Sequence, residues 1–276
     1  MGYVTVLWNK AARKAVCMME KSTKSNQSVE RTFQIIEAMG EARRPVRLSE
    51  LAQKTGLSAS TVLRMVHTLV DLGYAFQDQE TLQYGLTLQF ARIGSLASNG
   101  IGLRDFAHPV MEALAQECHE ACCLAIEQQD EVVYIDMVDG PDNMLRIMQH
   151  IGKRAPMHCT GIGKLLLLNR NIDGVRDYIA RHGLPRFTDH TLTDEHALLT
   201  ELEQVRHRGW AADNEECEIG ARCVAAPIHD YTGAVVGGLS ISGPTTRLNE
   251  KTVPDIACRV KHAGELISQR MGYHPE

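Results

Sequence analysis

The stretch Leu48 to Leu72, LSELAQKTGLSASTVLRMVHTLVDL, decides how the N-terminal part of this chain folds. It predicts a short helix, a tight turn and a longer second helix. Leu51 and Ala52 give the first helix a small apolar face, and Gly56 ends it where a left-handed residue is least strained. Leu57 follows as a core plug, and Ser58 is placed to cap the second helix. Val62, Met65, Val66 and Leu69 recur at three- and four-residue steps and mark that helix's inner face. The outer face then carries Ser58, Ser60, Thr61, Arg64, His67 and Thr68, short hydrogen-bonding groups with one long cation. A merely solvated face would show Glu and Lys there; these residue types read base edges and phosphates. An ordinary helical hairpin has the same apolar periodicity, so the pattern alone does not decide. The next segment does: Tyr74 to Thr87, YAFQDQETLQYGLT, reads as two short strands around a polar turn at Asp78 to Thr81. A helix-turn-helix followed by such a wing is a winged module, with the wing near Gln79 to Gln83 reaching the DNA backbone.

Working outward, Ser28 caps an upstream helix with Val29, Phe33, Ile36 and Met39 on one face, ending at Gly40 and Pro45. Downstream, Leu86, Phe90, Ile93 and Ala97 mark one face of a helix that leaves the module as linker and dimer contact. Residues 1–25 are read as an extension. Lys10, Arg13 and Lys14 interrupt its apolar run, which is too short and too charged to span a membrane and has no signal-peptide core. The expected division is therefore extension 1–25, winged helix-turn-helix 26–86, linker helix 87–103 and a second domain 104–273, in a cytoplasmic protein with no membrane partner.

At 276 residues the chain has room for two cores, and its 44% hydrophobic and 23% charged composition is ordinary globular. The net charge of -5 excludes a protein that coats nucleic acid by bulk electrostatics. Between Lys24 and Leu86 acidic and basic residues balance, so DNA binding there requires the cations to gather on one face. The eight cysteines form no Cys-x-x-Cys pair and match no His at finger spacing. Neither a structural metal site nor a disulfide framework is expected; Cys118 and Cys122 are read as sharing one side of a helix end, as buried apolar thiols.

The second domain reads as α+β, an antiparallel sheet with helices on its faces. A helix with Pro109 in its first turn opens it. Strands are expected at CLAIEQQ, EVVYIDMV and MLRIMQHI, then helices at GIGKLLLLN, Val175 to Gly183 and Leu198 to Gly209. Strands CVAAPIHD and VVGGLSIS flank a turn, and a helix from Ile256 to Met271 closes the chain. Three features converge on a polar cup. Thr160 caps a helix start at Gly161, Ile162 and Gly163, where free N–H groups and the dipole favour an anion. Ser240 and Ser242 share one face of an apolar strand, as Cys223 and Ala225 do in its neighbour. Asp213, opening an acidic loop, can accept from hydroxyl groups. The cup suits a small carboxylate bearing hydroxyl or keto groups.

Together LSELAQKTGLSASTVLRMVHTLVDLGY, the wing end YGLT, LRIMQHIGKRAPMHCTGIGKLLLL and DNEECEIGARCVAAPIHDYTGAVVGGLSISGP resemble the IclR family of bacterial transcriptional regulators, from about Ser28 to Tyr273. The resemblance implies a winged helix-turn-helix, a dimerising linker helix and a GAF-like effector domain. It implies a homodimer or homotetramer on palindromic double-stranded operator DNA, controlled by a small organic acid and without a cofactor. The positions matching the family's effector pocket are Met144, Thr160, Gly161, Ile162, Asp213, Cys223, Ser240 and Ser242. The run GGLSISGPTTR is similar to members governing sugar-acid catabolism, so a repressor controlled by an aldonate or 2-keto sugar acid is expected, and no catalytic residue. Two other readings compete: a cysteine-dependent acyl-transfer enzyme using His158 and Cys159 beside the anion site, and a metabolite sensor acting through protein partners without DNA.

Overall fold

The computed structural model describes residues 26–98, 102–140 and 149–274. The chain divides into two compact units, the first ending at Gly100 and the second beginning at Ile101.

In the first unit, α1 (Gln27–Ala42), α2 (Leu48–Thr55) and α3 (Ala59–Asp71) precede a hairpin of β1 (Ala75–Gln77) and β2 (Tyr84–Leu86), and α4 (Gln89–Ser98) follows. Leu51 from α2 and Val62, Met65, Val66 and Leu69 from α3 are buried together, the face the periodicity predicts. Gly56 ends α2 at φ 69°, inside the left-handed region. In the hairpin Phe76 pairs with Gly85, and a bridge from Val46 to Tyr84 fastens it to the segment between α1 and α2. Asp78 shapes the turn, its carboxylate accepting from Glu80 N–H at 3.0 Å and Thr81 N–H at 2.7 Å.

One prediction for α1 is corrected. Its inner face is Ile35, Ala38 and Met39, with Ile36 half-buried, while Val29 and Phe33 are exposed. Every buried residue of α1 lies in its second half, so the apolar residues of its first two turns fall outside the core.

The second unit is a six-stranded antiparallel sheet in the order β5-β4-β3-β8-β7-β6. Its strands are β3 (Ala121–Gln128), β4 (Glu131–Val138), β5 (Arg154–Pro156), β6 (Ala211–Asn214), β7 (Ala221–His229) and β8 (Val235–Pro244). Helices α5 (Leu103–Cys118) and α9 (Val253–Arg270) cover one face, closing a core with Leu124, Val224, Leu239 and Ile241. On the other face, α6 (Gly161–Leu167), α7 (Ile172–His182) and α8 (Glu195–Arg208) close a second core with Cys123, Ala125, Ala211 and Ala225. This alternation along β8 and β7 is the period-two pattern of a sheet covered on both sides.

Further differences from expectation follow. Helix α5 begins two turns before the expected proline: Gly102 N–H donates to Asp105 Oδ2 at 2.8 Å and starts it early. Pro109 therefore lies inside the helix, where its ring leaves a backbone carbonyl of the preceding turn without its N–H. Cys118 ends α5 whereas Cys122 lies on β3, so they do not share a helix end. Asp213 belongs to strand β6 rather than to a loop. The extension 1–25, most of the strand expected at 144–151, and Met144 itself lie outside the described residues.

Candidate DNA-contacting face and ligand cavity

Helix α3 presents the predicted face. Ser58, Ser60, Arg64, His67 and Thr68 are exposed and Thr61 is half-buried. Their hydroxyls differ in how free they are. Ser58 Oγ caps the helix, accepting from Thr61 N–H at 3.3 Å, and lies 2.8 Å from Thr61 Oγ1. Thr68 Oγ1 donates to the Arg64 carbonyl at 2.9 Å. His67 Nε2 lies 3.4 Å from the Tyr84 hydroxyl, which ties the helix to the wing. The Arg64 guanidinium makes no hydrogen bond or ion pair among the described residues, which leaves it available to an external acceptor.

The charge balance of this unit also resolves in three dimensions. Lys54 pairs with Glu41 at 2.5 Å and Arg44 with Glu50 at 2.6 Å. Arg31, Arg43, Arg47 and Arg64 are exposed and form no ion pair among the described residues. A sum near zero therefore coexists with uncompensated guanidinium groups on the surface.

In the second unit, seven of the eight predicted pocket residues line one cavity of about 220 Å³: Thr160, Gly161, Ile162, Asp213, Cys223, Ser240 and Ser242. The strand register explains the convergence, since Ser242 lies opposite Cys223 and Ser240 opposite Ala225. An added Cβ at Gly161 would come within 3.0 Å of Cys223 Sγ and 3.1 Å of Ala225 Cβ, so the helix start lies directly on β7. The size is below the ~300–1,000 Å³ typical of drug-sized sites and fits a small metabolite.

Burial raises the pKa of Asp213 above the usual carboxylate range, against the N–H groups of Glu216 and Cys217, which favour its charge. Glu216 N–H donates to Asp213 Oδ1 at 2.8 Å. Behind it, the buried Lys164 ammonium donates to Glu216 Oε1 at 2.5 Å and to the Ala212 carbonyl at 2.8 Å. Burial nevertheless pushes Glu216 up to about 7. It also pushes the Cys223 thiol up to about 12, although backbone hydrogen bonds from Gly161 and Asp213 oppose the rise.

The helix start offers fewer free donors than its sequence implies. Gly163 N–H donates to Thr160 Oγ1 at 3.1 Å, and Gly161 is engaged with Cys223. Other donors face the cavity instead. The hydroxyls of Ser240, Ser242 and Tyr134 form no hydrogen bond among the described residues, and Lys153, which also lines the cavity, forms no ion pair there. Tyr134 and Lys153 were not predicted. The basic pair at Lys153 and Arg154 was the available signal, and both residues line the cavity. Arg154 is committed in part, its Nε donating to Glu131 at 2.5 Å.

The arrangement proposed for an acyl-transfer enzyme is not formed. Cys159 is fully buried and does not line the cavity, and its sulfur lies 3.3 Å from Cys217 Sγ. His158 points away as well, with Nε2 at 3.1 Å from the Pro185 carbonyl.

A winged helix-turn-helix followed by an α+β domain with its own polar cavity is the architecture of a DNA-binding transcription regulator. Two family models match the chain: the IclR helix-turn-helix domain over residues 28–79, and the bacterial transcriptional regulator IclR C-terminal domain over residues 96–269. The chain belongs to the IclR family. It is 38% identical over 256 residues to the HTH-type transcriptional regulator KdgR of Escherichia coli K12, covering 93% of this chain and 97% of that protein. Identity to KdgR of Dickeya chrysanthemi is 36% over 269 residues, covering 98% of this chain and 88% of that one. Among solved structures, Thermotoga maritima IclR matches with a TM-score of 0.60 at 29% identity, covering 89% of this chain and 99% of that one. The C-terminal domain of E. coli KdgR matches with a TM-score of 0.56 at 37% identity, covering 62% of this chain and 99% of that domain.

Proposed function

We propose that this regulator is a repressor of a catabolic operon, released from a palindromic operator when a sugar acid fills the cavity of its second domain. The observation that carries the reading is the composition of that cavity: three hydroxyl donors without internal partners, the cations Lys153, Arg154 and Arg222, and the buried acidic acceptor Asp213 in about 220 Å³. In this reading Lys153 and the serine hydroxyls take the ligand's carboxylate, and Asp213, whose Oδ1 is held by the backbone, accepts from its hydroxyls. Similarity to the KdgR proteins and the run from Gly237 to Arg247 support a sugar acid over a smaller keto acid. The chain acts as a homodimer or homotetramer, with 26–86 as DNA-binding domain, 87–103 as linker and 104–273 as effector domain. It is a regulator rather than an enzyme, which the burial of Cys159 supports.

The test is operator binding to DNA flanking the coding region, at stated salt, titrated with D-gluconate and 2-keto-D-gluconate. Release by one of them is expected for the wild type. The double variant Ser240→Val with Ser242→Val should keep DNA binding and lose the response. A double variant that responds as the wild type does would remove both serines from the site.

A further inference from the structure

A feature that the DNA and effector readings leave unused lies in the cavity wall. Cys217 sits in the loop between β6 and β7, is partly exposed and lines the cavity. Its Sγ lies 3.3 Å from Cys159 Sγ and 3.1 Å from the Cys159 carbonyl, to which it donates. Cys159 is fully buried, immediately before the Thr160 cap of α6. The two thiols therefore meet where the 215–220 loop closes against the start of α6, with one of them open to solutes that enter the cavity. The backbone of the loop is fixed at this point, because Asp213 accepts from both Glu216 N–H and Cys217 N–H.

We propose that Cys217 and Cys159 form a modification site, a dithiol that a hydroperoxide closes into a disulfide joining the 215–220 loop to the start of α6. Cys217, reached through the cavity, attacks a peroxide oxygen as its thiolate. The O–O bond breaks, and the sulfenic acid remains while the other oxygen leaves as an alcohol or water. Cys159 sulfur then attacks Cys217 sulfur, the S–O bond breaks, and hydroxide departs as water with the second thiol proton. Two thiols lose two electrons and two protons, and the peroxide is reduced. The sulfurs need to approach by only about 1.3 Å to reach bonding distance. The hydrogen bond to Cys159, followed by burial, holds the Cys217 thiol protonated, so the reaction proceeds slowly and calls for excess oxidant.

The experiment treats the full-length protein with excess hydrogen peroxide, counts thiols after denaturation and maps the peptides. The expected count falls from the eight cysteines of the chain to six, with one cross-linked peptide containing Cys159 and Cys217. The melting temperature of the oxidised wild type should rise by a few degrees, because the bond closes a long loop in the unfolded chain. Cys217→Ser and Cys159→Ser should each abolish that peptide and that rise. A map that shows both cysteines reduced, overoxidised, or linked to other partners would overturn the proposal, and the wild-type map alone suffices if either variant fails to fold.

Discussion

Arg64 shows how much one side chain on α3 is asked to do. Its neighbours on the outer face are partly committed, Ser58 to the cap, Thr68 to the Arg64 carbonyl and His67 to Tyr84, whereas the guanidinium has no partner among the described residues. Arg64→Ala should weaken specific operator binding by about 1–3 kcal/mol, roughly five- to 150-fold, with an unchanged melting temperature. Operator titration beside a melting curve checks this; undiminished affinity would remove Arg64 from the interface. Gly163 is the opposite case, a residue defined by what cannot be added. A Cβ there would overlap the Met157 backbone and Thr160 Oγ1. Gly163→Ala should destabilise the second unit by about 1–3 kcal/mol through forced displacement of the helix start. Chemical denaturation measures it, and an alanine variant as stable as the wild type would show that the wall beside Thr160 gives way freely.

At the scale of elements, the sequence was informative wherever one element carries its own pattern. The inner face of α3 is legible because four buried residues repeat at helical steps, and the pocket serines because Ser240 and Ser242 alternate with Leu239 and Ile241. It was uninformative where pairing partners decide. Strands β5 and β6 are three and four residues long and exist through their ladders with β4 and β7. Unlike the equally short β1 and β2, they do not flank a shared polar turn that would announce them. The same reason hid Lys153, whose direction is set by where β5 begins. Helix α4 carries Leu88 just before it and Ile93 and Leu96 within it, all exposed, with Leu96 at 62%. If the linker is the dimer contact, Leu96→Glu should shift the protein toward monomer in sedimentation velocity and weaken binding to a full palindrome more than to a half-site. An unaltered sedimentation coefficient would place the dimer contact elsewhere.

For the whole molecule, a net charge of -5 and a neutral DNA-binding segment describe sums, and the fold shows how the sums are distributed. Ion pairs to Glu41 and Glu50 neutralise Lys54 and Arg44 and leave other arginines bare. In the second unit the acidic excess includes Glu216, buried against Lys164. Its folded pKa of about 7 stands above the ordinary 4.5. The folded state therefore holds this proton more tightly, and its contribution to stability is full below pH 4.5 and lost as pH rises toward 7. Melting curves from pH 4.5 to 7.5 should show Glu216→Gln gaining on the wild type across that interval. A difference that stays constant with pH would mean that Glu216 titrates as an ordinary carboxyl.

The strand order places the shortest strands, β5 and β6, at the two margins of the sheet. The outermost strand at each margin is thus only a stub, and β5 ends in Pro156, which has no N–H to give. A second copy laid alongside would find a ladder of three or four residues, too brief to splice two sheets into one. Along these two strands the sheet is a closed book: they resist runaway fibre growth, and they leave any lasting association there to be written in side chains, where sequence can tune it.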